Sequence, residues 1–254
     1  MRKLILPVAI ISGIIIVGIL VLNSKATINK FLPEKTFKFL NSKSLKTIPF
    51  KINEKINFDI FLFGVEFGKS DIIFRGEVKL NEQNVYLIES NSDTLNYKGK
   101  ELIYVNKEDF LPLRVERNLV FLGSKENIIE EYNSLDNSVT IKKTIGKDTK
   151  ITRIVKEDDI QNSISLIYLC RTLENFDRDI LIDVNLPTRN FELKVKKDQK
   201  ITVPFGTFES FLLEDKGKNF RVWIGKDKNR LPMRFDFNSG LKRYSMRLSD
   251  YVNE

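Results

Sequence analysis

Apolar and polar residues alternate along most of the chain after residue 50, which is the pattern of half-buried β-strands. The clearest example is residues 220–248, where three alternating segments are separated by polar turns. One set of alternate positions is apolar throughout, namely Phe220, Val222, Ile224, Met233, Phe235, Phe237, Tyr244, Met246 and Leu248. We therefore predict a three-stranded antiparallel meander with one buried face.

Further strand patterns recur at intervals of roughly ten residues, separated by Asn, Asp and Gly. They cover residues 56–62, 72–80, 85–88, 102–105, 113–119, 128–132, 139–145, 150–155, 180–184, 190–195, 201–203 and 206–214. Gly64 and Gly68 indicate a hairpin or a bulge, Gly76 a kink, and Pro204-Phe205-Gly206 a tight turn. The spacing favours one mainly β domain over residues 51–252, built as a curved antiparallel sheet or half-open barrel.

Residues 158–175 break this alternation and predict a helix. Apolar side chains occupy most sides of that helix, so we expect it to be buried on more than one face. Either Asn162 or Ser163 can cap its start, and Arg171 near its end is favourably placed for the helix dipole. A single helix in a β-rich chain is expected to pack across the open face or mouth of the sheet.

Residues 4–22 form an uncharged apolar run that follows two basic residues. As a helix the run would span roughly 28 Å, close to the hydrocarbon core of a bilayer. It is either an uncleaved membrane anchor or part of a signal peptide over residues 1–26, with small residues at 24 and 26. Its length favours the anchor, with the remainder outside the cytoplasm. Residues 27–50 then form a basic tether, which rests on anionic headgroups or serves as a plain linker.

Composition narrows the possible chemistry. The chain has no His and one Cys, which excludes His-dependent nucleophile systems, His-ligated metals and an internal disulfide. Cys170 lies in an apolar run, and we interpret it as a small core residue. The net charge of +8 is compatible with an anionic partner, or with lysines that simply cover exposed faces.

Paired carboxylates are the one obvious route to hydrolysis in such a chain. Asp227 with Asp236, or Glu130 with Glu131, are the candidate pairs, but general acid–base work needs a defined separation inside a cleft. No phosphate-binding glycine loop and no regular calcium loop is present. We therefore expect a protein that is not an enzyme, with no catalytic residue, metal site or cofactor.

The polar face of the predicted meander is rich in arginine. Arg221, Arg234, Arg243 and Arg247 all fall opposite the apolar face, and Trp223 shares their side. Such a face can bind phosphate or carboxylate groups and stack on a ring. The alternative is an ordinary solvated face, neutralised in part by Asp236.

Four short motifs occur in order along the chain. They are Gly64-Val65-Glu66-Phe67-Gly68, the helix residues Ser165, Tyr168 and Arg171, the turn Pro204, Gly206 and Phe208, and the hairpin Trp223, Gly225, Asp227, Arg230 and Pro232. Over residues 50–248 the chain thereby resembles the exported bacterial domain-of-unknown-function family 3108. Gly225 departs from the family, which often has Ser there. Many members of the family look secreted, whereas this chain keeps an apolar N-terminal run.

The resemblance implies an exported β-rich domain, similar to half-open barrels that shelter a lipid or an acyl chain. Tyr168 and Arg171 join the five residues of the basic face as candidate ligand contacts. We expect a non-catalytic binding domain for a lipid-like or anionic envelope component. It would be attached to the inner membrane through residues 4–22, or free in the periplasm if these are cleaved. The alternatives are an assembly partner of other envelope proteins and a carboxylate hydrolase, whereas nucleic acid is not an expected partner.

Overall fold

The computed structural model describes residues 36–37, 48–172, 181–239 and 242–253. Over this part of the chain, fifteen strands form one continuous sheet and one helix packs against it. The strands are β1 (Thr36–Phe37), β2 (Lys55–Leu62), β3 (Val65–Leu80), β4 (Gln83–Thr94), β5 (Tyr97–Val105), β6 (Pro112–Phe121), β7 (Ser124–Asn133), β8 (Ser138–Ile145), β9 (Asp148–Val155), β10 (Leu181–Leu186), β11 (Arg189–Val203), β12 (Gly206–Asp215), β13 (Phe220–Gly225), β14 (Pro232–Ser239) and β15 (Lys242–Val252), and the helix α1 is Ser163–Thr172.

The order across the sheet is β1-β10-β11-β12-β13-β14-β15-β2-β3-β4-β5-β6-β7-β8-β9. The long strands pair antiparallel with their neighbours, and the two-residue strand β1 pairs parallel with β10. The last strand, β15, pairs with β2 and so joins the two halves of the chain. The sheet does not close between β1 and β9, so the prediction of a mainly β, antiparallel and unclosed architecture with one helix is confirmed.

The meander is confirmed in detail. Phe237 pairs with Tyr244 and Phe235 with Met246, so equivalent apolar positions lie side by side across β14 and β15. Met233, Met246 and their neighbours belong to the main hydrophobic cluster, which also includes the inward side chains of α1. This alternation places the arginines of the meander on the opposite side of the sheet.

Bulges bend the strands where the sequence shows glycine or a change of pattern. Gly76, at a φ of 82°, sits at a break of register between β3 and β4. A Cβ atom on Gly68 would lie 2.3 Å from the carbonyl oxygen of Asp93, so only glycine fits there. The segments predicted as two strands over 190–195 and 201–203 form the single strand β11, which has a register shift between Val195 and Asp198.

The helix α1 begins at Ser163, and Asn162 is its cap. The side-chain oxygen of Asn162 accepts hydrogen bonds from the backbone N–H groups of Ile164 (2.9 Å) and Ser165 (3.3 Å). These bonds satisfy donors that the first turn leaves without partners. Of the two cap candidates, the structure therefore selects Asn162.

The N-terminal segments are only partly described. The predicted anchor over residues 4–22 lies outside the described residues. Within them, no helix combines the length and apolar character needed to cross a bilayer. Phe50, which the sequence assigns to the tether, is 6% exposed and lies 4.7 Å from Phe74 and 4.8 Å from Tyr168 between ring centroids. Packing of the domain therefore begins before residue 51.

Candidate functional site

An apolar cavity lies between α1 and the half of the sheet formed by β10–β15. Its volume is about 70 Å³. Most of the lining side chains are aliphatic or aromatic, and they include Ile164, Ile167, Leu186, Leu213, Phe220, Val222, Ile224, Phe237, Tyr244 and Met246. Cys170 and Arg171 line it from the helix. A space of this size and character favours a small apolar group over water, which needs polar partners.

A buried ion pair lies beside this cavity. The Arg171 guanidinium and the Glu54 carboxylate are both fully buried, with 0% of each side chain exposed. Arg171 donates from Nη1 to Glu54 Oε1 and from Nη2 to Glu54 Oε2 at 3.0 Å, a bidentate arrangement. Its Nε donates to the backbone carbonyl of Asn229 at 3.1 Å. Arg171 therefore joins three distant parts of the chain: α1, the entry to β2 and the β13–β14 turn.

Aromatic rings enclose this ion pair. The Arg171 guanidinium carbon lies 4.9 Å from the ring centroid of Phe50 and 5.2 Å from that of Tyr168. The Tyr251 hydroxyl donates to Glu54 Oε2 at 3.1 Å. Burial, and then the nearby Glu54 carboxylate, raises the pKa of Tyr251 to about 12. The same causes, in the same order, raise the pKa of Tyr168 well above its ordinary value. Both phenols therefore stay neutral at physiological pH.

The helix motif and the hairpin motif that carry the family resemblance meet at this point. Asp227 accepts hydrogen bonds at Oδ1 from the backbone N–H groups of Asn229 (2.8 Å) and Arg230 (3.1 Å), which shapes the β13–β14 turn. That turn presents the Asn229 carbonyl to Arg171. The two motifs therefore build one structural junction.

The predicted basic face exists, and Asp236 is at its centre. The Asp236 carboxylate is 4% exposed and accepts from Arg221 Nη2 at 3.1 Å. It also accepts from Arg234 Nε at 2.6 Å and Nη2 at 2.8 Å. Two of the four arginines therefore share one buried carboxylate, as the alternative interpretation of this face expects.

Trp223 is enclosed within the same face. The guanidinium carbons of Arg234 and Arg221 lie 5.1 Å and 5.4 Å from its ring centroid. Its Nε1 donates to Gln199 Oε1 on β11 at 3.0 Å. The side chain is 6% exposed, so little of the ring is available for stacking on a ligand.

Arg247 and Arg243 lie on the third strand of the meander, β15. The Arg247 guanidinium carbon is 4.2 Å from the ring centroid of Phe61. Burial, and then the neighbouring Arg234 cation, lowers the pKa of Arg247. Arg243 is exposed at the start of the strand. The five predicted residues of the basic face are therefore together, whereas Tyr168 and Arg171 lie inside the domain.

A second buried cluster lies in the opposite half of the sheet, on β5, β6 and β7. Arg117 donates from Nε to Glu101 Oε2 at 2.7 Å and from Nη1 to Glu130 Oε1. Tyr132 donates to the other oxygen of Glu130 at 2.6 Å. Burial raises the pKa of Glu101 although Arg117 opposes this, and burial followed by the Glu130 carboxylate raises that of Tyr132 well above its ordinary value.

The predicted carboxylate pairs do not share a cleft. Glu130 belongs to the buried cluster, whereas its neighbour Glu131 pairs with Arg114 on the other face of the sheet. Asp227 shapes a turn, and Asp236 is bound by two arginines. Neither pair has the geometry of a general acid facing a general base.

Sequence reasoning missed Glu54 and Tyr251, and it left open whether the sheet encloses a cavity. Glu54 and Arg171 are 117 residues apart, and no periodic signal connects them. The available clue was the helix itself. Arg171 lies three residues after Tyr168 on a helix expected to be buried on several sides, and a buried cation requires a counter-ion.

Together these features define a half-open β domain with a helix-covered apolar interior and a buried ion pair beside it. The chain belongs to the family described as a protein of unknown function (DUF3108), whose model matches residues 56–247. The resemblance proposed from the four motifs is thereby confirmed. No curated protein matches the chain.

Three solved structures match most of the chain at low identity. A β-barrel-like protein of domain of unknown function DUF1849 from Brucella abortus has 10% identity and a TM-score of 0.48, and covers 81% of this chain and 99% of that one. A candidate lipoprotein from Parabacteroides distasonis has 10% identity and a TM-score of 0.29, covering 84% and 100%. A candidate exported protein with a YmcC-like fold from Bacteroides fragilis has 7% identity and a TM-score of 0.27, covering 81% and 98%.

Proposed function

We propose that the domain is a non-catalytic binding module for an amphiphile, held outside the cytoplasm by the apolar run at residues 4–22. The observation that carries the proposal is the apolar cavity between α1 and β10–β15. Cavities lined by carbon and lacking polar partners stay dry and accept apolar ligands. Two features support binding rather than catalysis. The chain has no histidine, and the candidate carboxylates pair with arginines or shape a turn.

The size of the cavity sets a condition on the ligand. At about 70 Å³ it is roughly half of an engineered 150 Å³ cavity that binds benzene. The end of an acyl chain fits this volume, and a longer part of the chain requires α1 to move away from the sheet. The ligand's polar end would stay outside, because the polar groups beside the cavity already bind each other.

The test is binding of a fluorescent fatty acid, 11-(dansylamino)undecanoic acid, to the full chain held in a lipid-free amphipol. We expect saturable binding that palmitate displaces, and copurifying lipid in native mass spectrometry. Val222→Phe fills the cavity and should abolish both signals. Val252→Phe makes the same substitution on a side chain that is 37% exposed and outside the cavity, and should leave them unchanged. Equal binding by both variants would refute the proposal.

A second candidate function is assembly with another envelope protein by strand addition. The observation in its favour is β9, which ends the sheet and pairs with β8 on one side only in the described part of the chain. Its Ile151 and Val155 are 66% and 61% exposed. An added strand would satisfy the free backbone groups of such an edge. Photocrosslinking in cells from residue 151 should capture one protein reproducibly, whereas the exposed turn residue Leu135 should capture none.

A further inference from the structure

Exposed apolar residues recur on successive turns at one end of the sheet. They are Phe63 and Val65 at the β2–β3 turn, Leu95 at the β4–β5 turn and Leu122 at the β6–β7 turn, with 60%, 71%, 82% and 63% of their surface exposed. We call these four residues the turn tips. Isolated exposed apolar residues are ordinary on protein surfaces. Exposed apolar residues on three successive turns at the same end of the sheet form a pattern that requires a cause.

The strand register brings the three turns together. Thr94 pairs with Tyr97 across β4 and β5, and Tyr97 pairs with Phe121 on β6, so the second and third turns lie side by side. The backbone N–H of Leu122 donates to the carbonyl of Asn96 at 3.0 Å, which joins them directly. The first turn projects further, because β4 ends opposite Gly68.

The local backbone at two of these turns is a poor place for a large apolar residue. Phe63 and Leu122 have φ values of 55° and 48°, and each precedes a glycine with φ above 80°. This is the left-handed turn geometry in which Asn, Asp or Gly is preferred, whereas bulky residues are outliers. A residue that is both exposed and conformationally disfavoured points to a role outside the fold itself.

Charge and chain length indicate what the turn tips meet. The exposed cations near these turns are Lys69, Lys98, Lys125, Lys147 and Arg243, and the exposed anions are Glu66, Asp93 and Asp148. Asp93 pairs with Lys98, and the carbonyl of Arg243 accepts from the Phe63 N–H at 2.9 Å. The chain between the apolar run and Ile48 is short enough to keep the domain within roughly 90 Å of a bilayer that residues 4–22 enter. Apolar tips flanked by lysines match the headgroup and acyl boundary of an anionic membrane.

We infer that the turn tips insert into the surface of an anionic phospholipid bilayer, so that this end of the sheet faces the membrane. The inference uses the proposed anchor for proximity and does not depend on a ligand in the cavity. It also gives the cavity an orientation. Tyr244, which lines the cavity, pairs with Leu62, the residue before Phe63. The same end of the domain would therefore offer both the docking surface and the cavity-lining residues nearest the lipid.

The test uses nitroxide labels on the full chain in vesicles of phosphatidylcholine, with or without phosphatidylglycerol. Labels are placed at Leu95→Cys and Leu122→Cys, with Leu135→Cys as the matched control. Leu135 is 96% exposed on the β7–β8 turn at the opposite end of the sheet. Cys170 is buried, so labelling is confined to the introduced thiols. An unchanged urea midpoint verifies that each labelled variant is folded.

With phosphatidylglycerol present, we expect the labels at 95 and 122 to gain accessibility to oxygen and lose accessibility to a water-soluble nickel chelate. The label at 135 should remain aqueous. Adding Leu95→Ser should shift the label at 122 back toward water, since one apolar side chain changes partitioning roughly tenfold. The inference is overturned if the three labels lie at equal depth in the bilayer, or if the depth of the labels at 95 and 122 does not depend on phosphatidylglycerol. Vesicle flotation tests separately whether residues 4–22 attach the chain to the membrane. Fatty-acid binding tests the proposed function of the cavity.

Discussion

Removing the charge of Glu54 should destabilise the domain more than most single substitutions. Glu54→Gln leaves the Arg171 cation in a site where neither side chain is exposed. The amide offers one acceptor where the carboxylate offers two, and its NH₂ group faces a donor. Breaking a buried ion pair from one side typically costs about 3–5 kcal/mol, because the remaining charge is desolvated and unpaired. The Asn229 and aromatic contacts of Arg171 do not replace the lost charge.

The assay is urea unfolding of the full chain in mild detergent, followed by the fluorescence of Trp223, which is the single tryptophan. Asp93→Asn is the matched control because it makes the same carboxylate-to-amide change in an exposed pair. Lys98 and Asp93 lie 2.9 Å apart, with 71% and 62% of their side chains exposed. We expect the control to change the free energy of unfolding by about 1 kcal/mol or less.

A double variant separates the value of the pair from the penalty of an unpaired charge. Arg171→Met combined with Glu54→Leu replaces both partners with apolar groups, which is often neutral or stabilising for buried pairs. We therefore expect the double variant to be more stable than Glu54→Gln. The reasoning is refuted if Glu54→Gln is no more destabilising than Asp93→Asn. It is also refuted if the double variant is the least stable of the three.

Three further predictions concern the same region. Asn162→Ala removes the helix cap and should lower the free energy of unfolding by about 1 kcal/mol, whereas Ser163→Ala should have a smaller effect in the same urea assay. Burial raises the pKa of Cys170 to about 12, so iodoacetamide at pH 8 should modify the thiol only after unfolding; rapid native labelling would contradict the burial. The pKa of Tyr251 is raised above its unfolded value to about 12, so its stabilising contribution is complete below pH ~10 and is lost as the pH approaches about 12. Tyr251→Phe should reduce this alkaline loss in the free energy of unfolding. An unchanged dependence on pH in the variant would contradict the prediction.

The strands were predictable because each has one side in the core. Alternation identified the meander, and the buried residues Met233, Phe237 and Met246 confirm its inward face. Strand lengths were less predictable. Strand β3 extends over Val65–Leu80 although its first residues are charged or exposed. Backbone hydrogen bonds between paired strands continue where neither face of the sheet is buried. Hydrophobic alternation therefore identifies only the central part of such a strand.

The candidate site was predictable only in part. Strand parity placed the arginines of the meander and Trp223 on one face, as the register shows. It could not show that Gln199 of β11 bonds the indole or that Asp236 binds two arginines at once. The first contact depends on the register of β11 in the sheet, and both depend on rotamers chosen in the packed state. The ion pair of Arg171 with Glu54 is equally non-local, so the sequence could not show that this candidate ligand contact is bound to a buried carboxylate.

The distribution of charge changes where an anionic partner should be sought. Within the described residues, the buried guanidinium of Arg171 is matched by Glu54, and that of Arg117 by Glu101 and Glu130. Arg221 and Arg234 share the buried Asp236. The arginines that the sequence singles out are therefore largely neutralised inside the fold. Residues 1–50 hold eight Lys and Arg and one acidic residue, so most of the net charge of +8 lies ahead of the β domain. An anionic surface would accordingly be attracted to the basic segment that precedes the domain rather than to the arginine face.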